Sequence, residues 1–418
     1  MNSIKLIHKV KEILNFHISE PASLNQDVGF RAIGLAHIDW KEAANEVQAL
    51  FEGQWKNGML PHLIFGAKTD KEVTGMKDFW EIENSPNSPD LYYTSGITQL
   101  PIYGLVLQKI YELAEEKEEA KSFLKEMYPK IHAFHKYLYT FRDDEDEGLV
   151  AVIHPNESRT EGSPLWDSVL DKIAIGEEEL VGVESREYDY LRYVDLISLY
   201  QEYKFDEEKI AQNCPFRVQD PFFNAVLSWS NEAMIEIGRI IGEDVTDFVL
   251  WNELTVFSMN EKLWDEEQGI YNAYDVVNEA FIQGETLSGM LPMMTDIPNI
   301  DQAENILINL QDEYFSGTKE NPMYLCPTYD VTAEDVRFNI PERGAVSICQ
   351  NWLLYQGLKR FEMHSMAEKV KDDSLELIGK YGFYTSFNPL KERLANFENN
   401  KEDILCAALC LDFFLDEK

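Results

Sequence analysis

The stretch His154-Pro155-Asn156-Glu157-Ser158-Arg159-Thr160-Glu161-Gly162-Ser163-Pro164-Leu165-Trp166-Asp167-Ser168 lies between long helical patterns and carries its own Pro and Gly residues. This composition is typical of a loop. Loops held by a rigid scaffold often carry binding and catalytic residues. The stretch therefore predicts a functional loop set into a helical fold.

The acids and the indole of this loop indicate one kind of chemistry. A sugar ring can stack on a Trp face while a carboxylic acid protonates the glycosidic oxygen. Trp166 is the candidate stacking surface. The alternative interpretation is a polar connector whose Trp166 fills a hydrophobic gap, and the stretch alone leaves both open.

Apolar residues recur at helical spacing on both sides of the loop. Three such runs contain Leu105, Ile110 and Leu113; Ala225, Ile235 and Ile241; and Trp352, Tyr355 and Leu358. Alternating strand patterns are scarce, and residues 149–153 are predicted to form a short strand just before the loop. The fold is therefore predicted to be mainly helical.

The loops between the helical runs alternate in character. Some are short and charged, at 143–147 and 264–269, whereas others are rich in Pro, Trp, Gln and Gly, at 54–61, 95–101, 154–167 and 339–347. This alternation predicts one helical array with plain connectors on one rim and functional loops on the other. Closing such an array into a ring buries its end faces. No Ser/Gly-rich linker divides the chain, so residues 1–418 are predicted to form a single domain.

The charge balance excludes some partners. The chain carries 75 acidic and 37 basic residues, for a net charge of −38. Nucleic acid and anionic membrane surfaces both require a basic footprint, so neither is expected as a partner. Five scattered cysteines without a CxxC pair do not form a disulfide framework. The first twenty residues lack the apolar core of a signal peptide, and a cytoplasmic location is expected.

Several loop residues are candidates for contacting a ligand. Asp27 precedes a predicted helix, so it is either an N-cap or an acceptor for a sugar hydroxyl. Gln54 and Trp55 offer an amide and a stacking face, and Gln99 offers a second amide. Tyr384, in an aromatic loop before the last predicted helix, is a further candidate for contacting the ligand. Arg343 can clamp a polar ligand or pair with a surface acid.

One further motif indicates a structural role, and several known functional motifs are absent from the sequence. Asp220-Pro221 predicts an N-cap followed by Pro at the first helical position. The sequence contains no HExxH, GxxxxGK[ST], GxGxxG or GxSxG motif. No cofactor and no metal are therefore expected, and serine-esterase chemistry is disfavoured.

Five of these segments, taken in order, resemble a known family. They are Gln54-Trp55-x-Asn57-Gly58-Met59-x-Pro61-His62, Ser95-Gly96-Ile97-Thr98-Gln99-x-Pro101, the loop from Glu157 to Asp167, Asp220-Pro221-x-Phe223-Asn224, and Arg343-Gly344 followed by Asn351-Trp352-Leu353-Leu354. They look like the mannosylglycerate hydrolase-like branch of the processing α-glucosidases. The resemblance extends from about Phe16 to Phe414. It implies an all-α (α/α)6 barrel of six helical hairpins, related to trehalases, that acts on a small saccharide or glycoside.

The resemblance also implies an inverting mechanism with two carboxyl groups roughly 6.5–9.5 Å apart. The family's acid is an Asp in a loop like Glu-Ser-Gly-x-Asp-Asn-Ser-Pro-Arg-Trp-Asp. Glu161 occupies that position here. Asp27 matches the acid of the family's Trp-Asp sugar-binding motif, with Gln26 in place of the Trp.

The general base is the point at which this sequence departs from the family. The usual Glu lies in a loop like Gly-Phe-x-Glu-Tyr-Phe-x-Pro, where this chain has Thr385 after the aromatic Tyr384. A Thr hydroxyl cannot accept the proton of water at neutral pH. Glu342 is the candidate replacement, with Glu392 and Glu398 as further possibilities. Pro341-Glu342, Ser347 and Leu165 also stand where the family has Tyr-Trp, Trp and Arg.

Three functions follow from these observations. The first is a glycoside hydrolase acting on a glycosylglycerate or a short α-glucoside, with Glu161 as acid. The second is a carbohydrate-binding protein that has lost hydrolysis, because Thr385 replaces the base. The third, an epimerase or isomerase, rests on His62 and His154 in candidate loops.

Overall fold

The computed structural model describes residues 3–19, 24–70, 76–175, 188–390 and 402–416. Helices dominate these ranges, as the sequence predicts. In chain order they are α1 (Ser3–Ser19), α2 (Val28–Ala36), α3 (Trp40–Phe51), α4 (Met76–Trp80), α5 (Tyr103–Leu113), α6 (Lys117–Phe141), α7 (Asp167–Leu170), α8 (Tyr188–Glu202), α9 (Glu207–Asn213), α10 (Pro221–Ile241), α11 (Thr246–Ser258), α12 (Ile300–Gln311), α13 (Glu313–Ser316), α14 (Ile348–Arg360), α15 (His364–Tyr381) and α16 (Ile404–Leu415).

Six positions form a closed inner ring. Helix α2 packs against α5, α5 against α10, and α10 against two 3-10 turns, Leu287–Gly289 and Leu291–Met294. The second of these turns packs against α14, α14 packs against α16, and α16 returns to α2. The fourth inner position is therefore occupied by two short turns in place of a full helix.

An outer layer covers this ring. Helices α1, α3, α6, α11 and α15 pack on α16, α2, α5, α10 and α14, respectively. Helix α12 follows the two 3-10 turns in the chain and completes the alternation of inner and outer elements. The predicted all-α (α/α)6 barrel is thus confirmed, and one hydrophobic cluster extends from Leu6 to Phe413.

The difference between inner and outer helices follows from their sequences. Every residue of α2 is buried, and so is every residue of α16 from Leu405 to Phe413. A helix that is apolar all round must be enclosed by neighbours, whereas a helix with one apolar stripe can lie at the surface. Gly34 allows α2 and α16 to pack closely, because a Cβ at this position would lie 2.3 Å from the Ala408 Cα.

Short strands connect the helices at the rim. They are β1 (Ile64–Ala67), β2 (Tyr92–Thr94), β3 (Ala151–Val152), β4 (Val218–Gln219), β5 (Trp264–Asp265), β6 (Ile270–Tyr271), β7 (Ala273–Asp275), β8 (Ala280–Ile282), β9 (Val346–Ser347) and β10 (Ser386–Phe387). Strands β3, β4, β7 and β8 form one antiparallel sheet in that order, and β9 pairs with β10. The strand predicted at 149–153 is confirmed as the shorter β3.

Two of these strands position functional segments. The loop from His154 begins directly after β3, whose Ala151 and Val152 pair with Gln219 and Val218. In the β9–β10 pair, Ser347 lies opposite Ser386. This pairing brings the segment before α14 next to the segment after α15. None of the helices within the described ranges has the length and apolarity needed to cross a membrane.

Candidate active site

A cavity of about 220 Å³ opens where these segments meet. Its lining comes from six separate parts of the chain, which explains why no continuous motif defines it. The lining residues are Gln26, Asp27, Arg159, Glu161, Phe222, Thr328, Pro341, Glu342, Ser347, Cys349, Gln350, Thr385 and Ser386. Among the predicted site residues, Asp27, Glu161 and Glu342 lie together in this cavity.

The buried Glu157 carboxylate holds the loop that carries Glu161. It accepts hydrogen bonds from the backbone N–H groups of Thr98, at 3.0 Å, and Ile153, at 2.8 Å. The guanidinium of Arg142 donates to both of its oxygens at 3.2–3.3 Å. Because the carboxylate links three separate segments, it fixes the start of the loop against the scaffold.

Two 3-10 turns shape the rest of the loop. The first, Pro155–Glu157, is capped by His154, whose Nδ1 accepts from the Asn156 N–H at 3.1 Å. The second, Pro164–Trp166, is capped by the Ser163 hydroxyl. Between them, the Trp166 indole donates to the Thr160 carbonyl, and the Tyr193 hydroxyl donates to the carbonyl of Glu161. The Glu161 side chain is left exposed at the cavity.

Asp27 is paired with Arg159 and does not cap α2, since its side chain makes no capping hydrogen bond. Its Oδ1 accepts from Arg159 Nη2 at 2.6 Å and from Nε at 3.2 Å. Burial opposes ionisation of Asp27, but the neighbouring Arg159 outweighs it and lowers the pKa of the carboxyl. Asp27 is therefore an acceptor in an ion pair with Arg159, and the N-cap interpretation is corrected.

Arg159 has an unusual backbone for its residue type. Its φ of 61° lies in the left-handed region, which glycine adopts most easily. The similar loop of the family has Gly at this position. The side chain stacks on the Phe30 ring, with the guanidinium carbon 5.4 Å from the ring centroid, and enters the cavity. The structure thus adds a cation to the site that sequence reasoning missed.

Glu342 lies beside the Glu161 loop. A Cβ built on Gly162 would be 2.6 Å from its Oε2, so the carboxyl packs directly on the residue that follows Glu161. Burial raises the pKa of Glu342 to about 7, and the negative charge of Glu161 adds to this rise. Glu342 therefore gains and loses a proton near neutral pH.

Thr385 lines the same cavity just before β10. Its carbonyl accepts from the Ile348 N–H at 3.0 Å, which fixes the segment on the start of α14. The position at which the family resemblance implies a Glu as general base is thus occupied by a Thr in the cavity lining. Glu392 and Glu398, the other possible bases, lie outside the described residues.

Three polar atoms in the lining lack hydrogen-bond partners among the described residues. They are Gln26 Oε1, Gln350 Oε1 and Ser386 Oγ. A buried polar group without a partner costs roughly 1–3 kcal/mol, so such groups usually await water or a ligand. Two carbonyl oxygens and a hydroxyl are suited to the hydroxyl groups of a sugar or a polyol.

The predicted ligand contacts Gln54, Trp55 and Gln99 lie outside the cavity lining. The Gln54 amide donates to the backbone carbonyls of Gly58 and Lys130 at 2.9 Å. The Trp55 indole donates to Thr94 Oγ1, and Gln99 bridges the Pro61 carbonyl and the Tyr103 hydroxyl. These side chains satisfy polar groups of the scaffold.

Trp166, Arg343 and Tyr384 also make their contacts within the protein and lie outside the cavity lining. Trp166 is buried against Phe216, which supports the interpretation as a filler of a hydrophobic gap. Arg343 forms ion pairs with Asp167 and Asp335, the alternative left open by the sequence. Tyr384 contacts Phe387 edge-on and is not part of the lining.

The structure also locates the remaining sequence candidates. Asp220 caps α10 as predicted, accepting from the Phe222 N–H at 3.1 Å. Burial lowers the pKa of His62 to about 4 and that of His154 to about 3. Neither imidazole lines the cavity, so the epimerase hypothesis loses its support. Among the described residues, no cluster of three or more potential metal ligands occurs.

Comparison with known proteins agrees with this architecture. Residues 20–399 match the family described as mannosylglycerate hydrolase MGH1-like glycoside hydrolase domain. A mannosylglycerate hydrolase of Thermus thermophilus is 31% identical over 377 residues, which cover 87% of this chain and 88% of the relative.

Solved structures show the same fold. A GH63 mannosylglycerate hydrolase from Thermus thermophilus, in complex with Tris and D-glycerate, superposes with a TM-score of 0.83 and 29% identity, covering 98% of this chain and 99% of that chain. Neutral trehalase Nth1 from Saccharomyces cerevisiae, 12% identical with a TM-score of 0.58 over 93% of this chain and 70% of that chain, shares the fold alone. These matches confirm the resemblance inferred from the loops and the prediction of a glycosidase. The chain belongs to the mannosylglycerate hydrolase MGH1-like family of glycoside hydrolases.

Proposed function

We propose that the cavity hydrolyses a small glycoside of glyceric acid, such as mannosylglycerate or glucosylglycerate. The observation that carries this proposal is the placement of Glu161 and Glu342 in one small cavity of a glycoside hydrolase scaffold. A volume of about 220 Å³ is below the range of drug-sized pockets, roughly 300–1,000 Å³. This size favours one sugar unit with a small partner over a long glucan.

Each step of the reaction has a candidate group in the cavity. Glu161 donates its proton to the glycosidic oxygen, and the bond from that oxygen to the anomeric carbon breaks. Water attacks the same carbon from the opposite face and gives its proton to the Glu342 carboxylate. Asp27, Gln26, Gln350 and Ser386 accept or share hydrogen bonds with the sugar hydroxyls.

The proton affinity of Glu342 constrains this mechanism. A general base must be ionised, and Glu342 loses its proton as pH rises through about 7. Activity that depends on Glu342 as base should therefore increase across neutral pH. If Glu342 instead supplied the proton to the leaving group, activity would decrease over the same range.

The second candidate function is saccharide binding without turnover. Thr385 favours it, because this cavity residue cannot deprotonate water in place of a Glu. The two functions differ in a single measurable property, which is the release of sugar from a bound glycoside.

The test is purified full-length protein assayed against mannosylglycerate, glucosylglycerate, trehalose and short α-glucans, with sugar release followed by chromatography and proton NMR. The proposal expects release from a glycerate glycoside with inversion at the anomeric carbon. Glu161→Gln and Glu342→Gln should each lower kcat by at least about 100-fold, since each removes one acid–base group.

The controls separate a lost reaction from a lost fold. Glu118→Gln changes an exposed surface carboxylate and should leave activity unchanged. Full activity in Glu161→Gln would contradict the assignment of the acid. Binding of the glycosides without any release would establish the second function, and Thr385→Glu is then expected to introduce turnover.

A further inference from the structure

We infer that Arg159 binds a carboxylate of the ligand, so that the cavity selects a hydroxy acid over a neutral sugar. The inference deepens the proposed function, on which it rests, by assigning a residue that determines specificity. It begins from the position of Arg159, which is the single basic residue among the cavity-lining residues of the described chain.

The first argument is the geometry of the guanidinium. Asp27 Oδ1 accepts from Nε and Nη2, which together form the side edge of the guanidinium. The end edge, formed by Nη1 and the second N–H of Nη2, points away from that contact. An arginine can bind one carboxylate on each edge, and a planar fork of two N–H donors matches the two oxygens of a carboxylate.

The second argument is that the side chain is held in place. Its guanidinium carbon lies 5.4 Å from the centroid of the Phe30 ring, and the guanidinium also interacts with the thiol of Cys349 through its charge and a hydrogen bond, which partly oppose the rise that burial causes in the pKa of that thiol. With Asp27 fixing its orientation, little side-chain entropy remains to be lost on binding. A preorganised donor gives more affinity than a flexible one.

The third argument is the complementarity of the other polar groups. Gln26 Oε1 and Gln350 Oε1 can only accept hydrogen bonds, and Ser386 Oγ can accept or donate. A ligand that suits the whole lining therefore carries hydroxyl groups for these atoms and a pair of acceptor oxygens for the end edge of Arg159. A hydroxy acid supplies such a charged, planar pair, whereas a neutral hexose offers only single uncharged oxygens.

The charges in the cavity permit an anion. Asp27 and Arg159 neutralise each other, and Glu342 is protonated below neutral pH. In slightly acidic solution Glu342 therefore adds little negative charge, and the cavity presents the donor fork of Arg159.

The test is calorimetric titration of the full-length protein at about pH 6 with two matched pairs of ligands, D-glucuronate against D-glucose and D-glycerate against glycerol. We expect each carboxylate that fits to bind at least about 10-fold more tightly than its neutral partner, because hydrogen bonds to charged groups contribute roughly 1.5–3 kcal/mol. A preference for glucuronate places the carboxylate on the sugar, and a preference for glycerate places it on the leaving group.

Variants of Arg159 complete the test. Arg159→Gly suits the backbone at φ 61° and should fold, and it should abolish the preference for carboxylates while preserving the binding of glucose. Arg159→Lys retains the charge but loses the fork, so the preference should fall by roughly 10-fold. Arg360→Lys, in an ion pair with Glu232 and Asp296, is the matched control and should bind as the natural chain does.

Two outcomes would overturn the inference: equal binding of carboxylate and neutral ligands, or a preference that survives Arg159→Gly. With either result, the proposed hydrolysis of a glycoside would still be supported, provided that sugar release is observed. Conversely, an Arg159-dependent preference without any sugar release would support the carboxylate site and refute the proposed hydrolysis.

Discussion

Glu157→Gln tests whether one buried carboxylate holds the active-site loop. The substitution keeps one oxygen and replaces the other with an NH₂ donor, which would face either the Thr98 or the Ile153 N–H. It also removes the charge that partners Arg142. Glu207 remains near Arg142, with its Oε2 3.4 Å from Nε, and compensates in part.

The expected loss of stability follows from these contacts. Leaving a buried donor without an acceptor costs roughly 1–3 kcal/mol, and breaking a buried ion pair costs roughly 3–5 kcal/mol when no partner remains. With Glu207 still present, we expect the free energy of unfolding to fall by about 3–4 kcal/mol. Because the loop also loses its anchor, ligand affinity or kcat should fall by at least about 10-fold under conditions where the variant is fully folded.

Urea unfolding followed by far-UV circular dichroism measures the stability, with binding and activity assayed well below the unfolding midpoint. Glu118→Gln, at a carboxylate that is 88% exposed, is the control and should change stability by less than about 0.5 kcal/mol. A loss below about 1 kcal/mol in Glu157→Gln would refute the view that this carboxylate links the loop to the scaffold.

Three further predictions address the fold and the site. Gly34→Ala places a Cβ 2.3 Å from the Ala408 Cα, so thermal and urea unfolding should show a loss of at least about 1–3 kcal/mol. If Glu342 is the base, the rising limb of log(kcat/KM) against pH should bend near pH 7, and this bend should be absent from any residual activity of Glu342→Gln. Asp39→Ala removes the side chain that accepts from the Lys41 and Glu42 N–H groups at the start of α3, and should cost about 1 kcal/mol in urea unfolding.

The fold could be predicted from the sequence because its determinants are local. Apart from Arg31 and Asp412, helices α2 and α16 consist of apolar residues and glycine, which already identifies them as inner elements. The fourth inner position could not be predicted in the same way. There Pro292 and the glycine at 289 favour short turns over a helix, while tertiary packing still places them in the ring.

The site was only partly predictable, because sequence patterns identify loops but not the direction of each side chain. Glu161, Glu342 and Asp27 were found as acids in such loops, and all three line the cavity. From the sequence, Gln54 and Gln99 are equally suited to bind a sugar. In the structure, the Gln54 amide donates to a backbone carbonyl, and the Gln99 amide accepts from the buried Tyr103 hydroxyl.

Arg159 escaped prediction for a different reason. No pattern in a single sequence predicts a left-handed backbone at a bulky residue. The orientation of the Arg159 side chain depends on its contact with Asp27, 132 positions earlier. Gln350 and Ser386 were not predicted, because the residues around them in the sequence do not distinguish them from polar residues at the ends of other helices and strands.

The contact between α2 and α16 bears on how the chain reaches its native state. The first inner helix and the last helix of the ring meet only after every intervening hairpin has been placed, so ring closure depends on contacts of very large sequence separation. Such contacts are slow to form and leave apolar surface exposed in the meantime. During synthesis, the wholly buried α2 can pack against α3 and α5 but is fully covered only after α16 has emerged from the ribosome. Assembly of the ring is therefore a late step, and the nascent chain is exposed to aggregation until that step is complete.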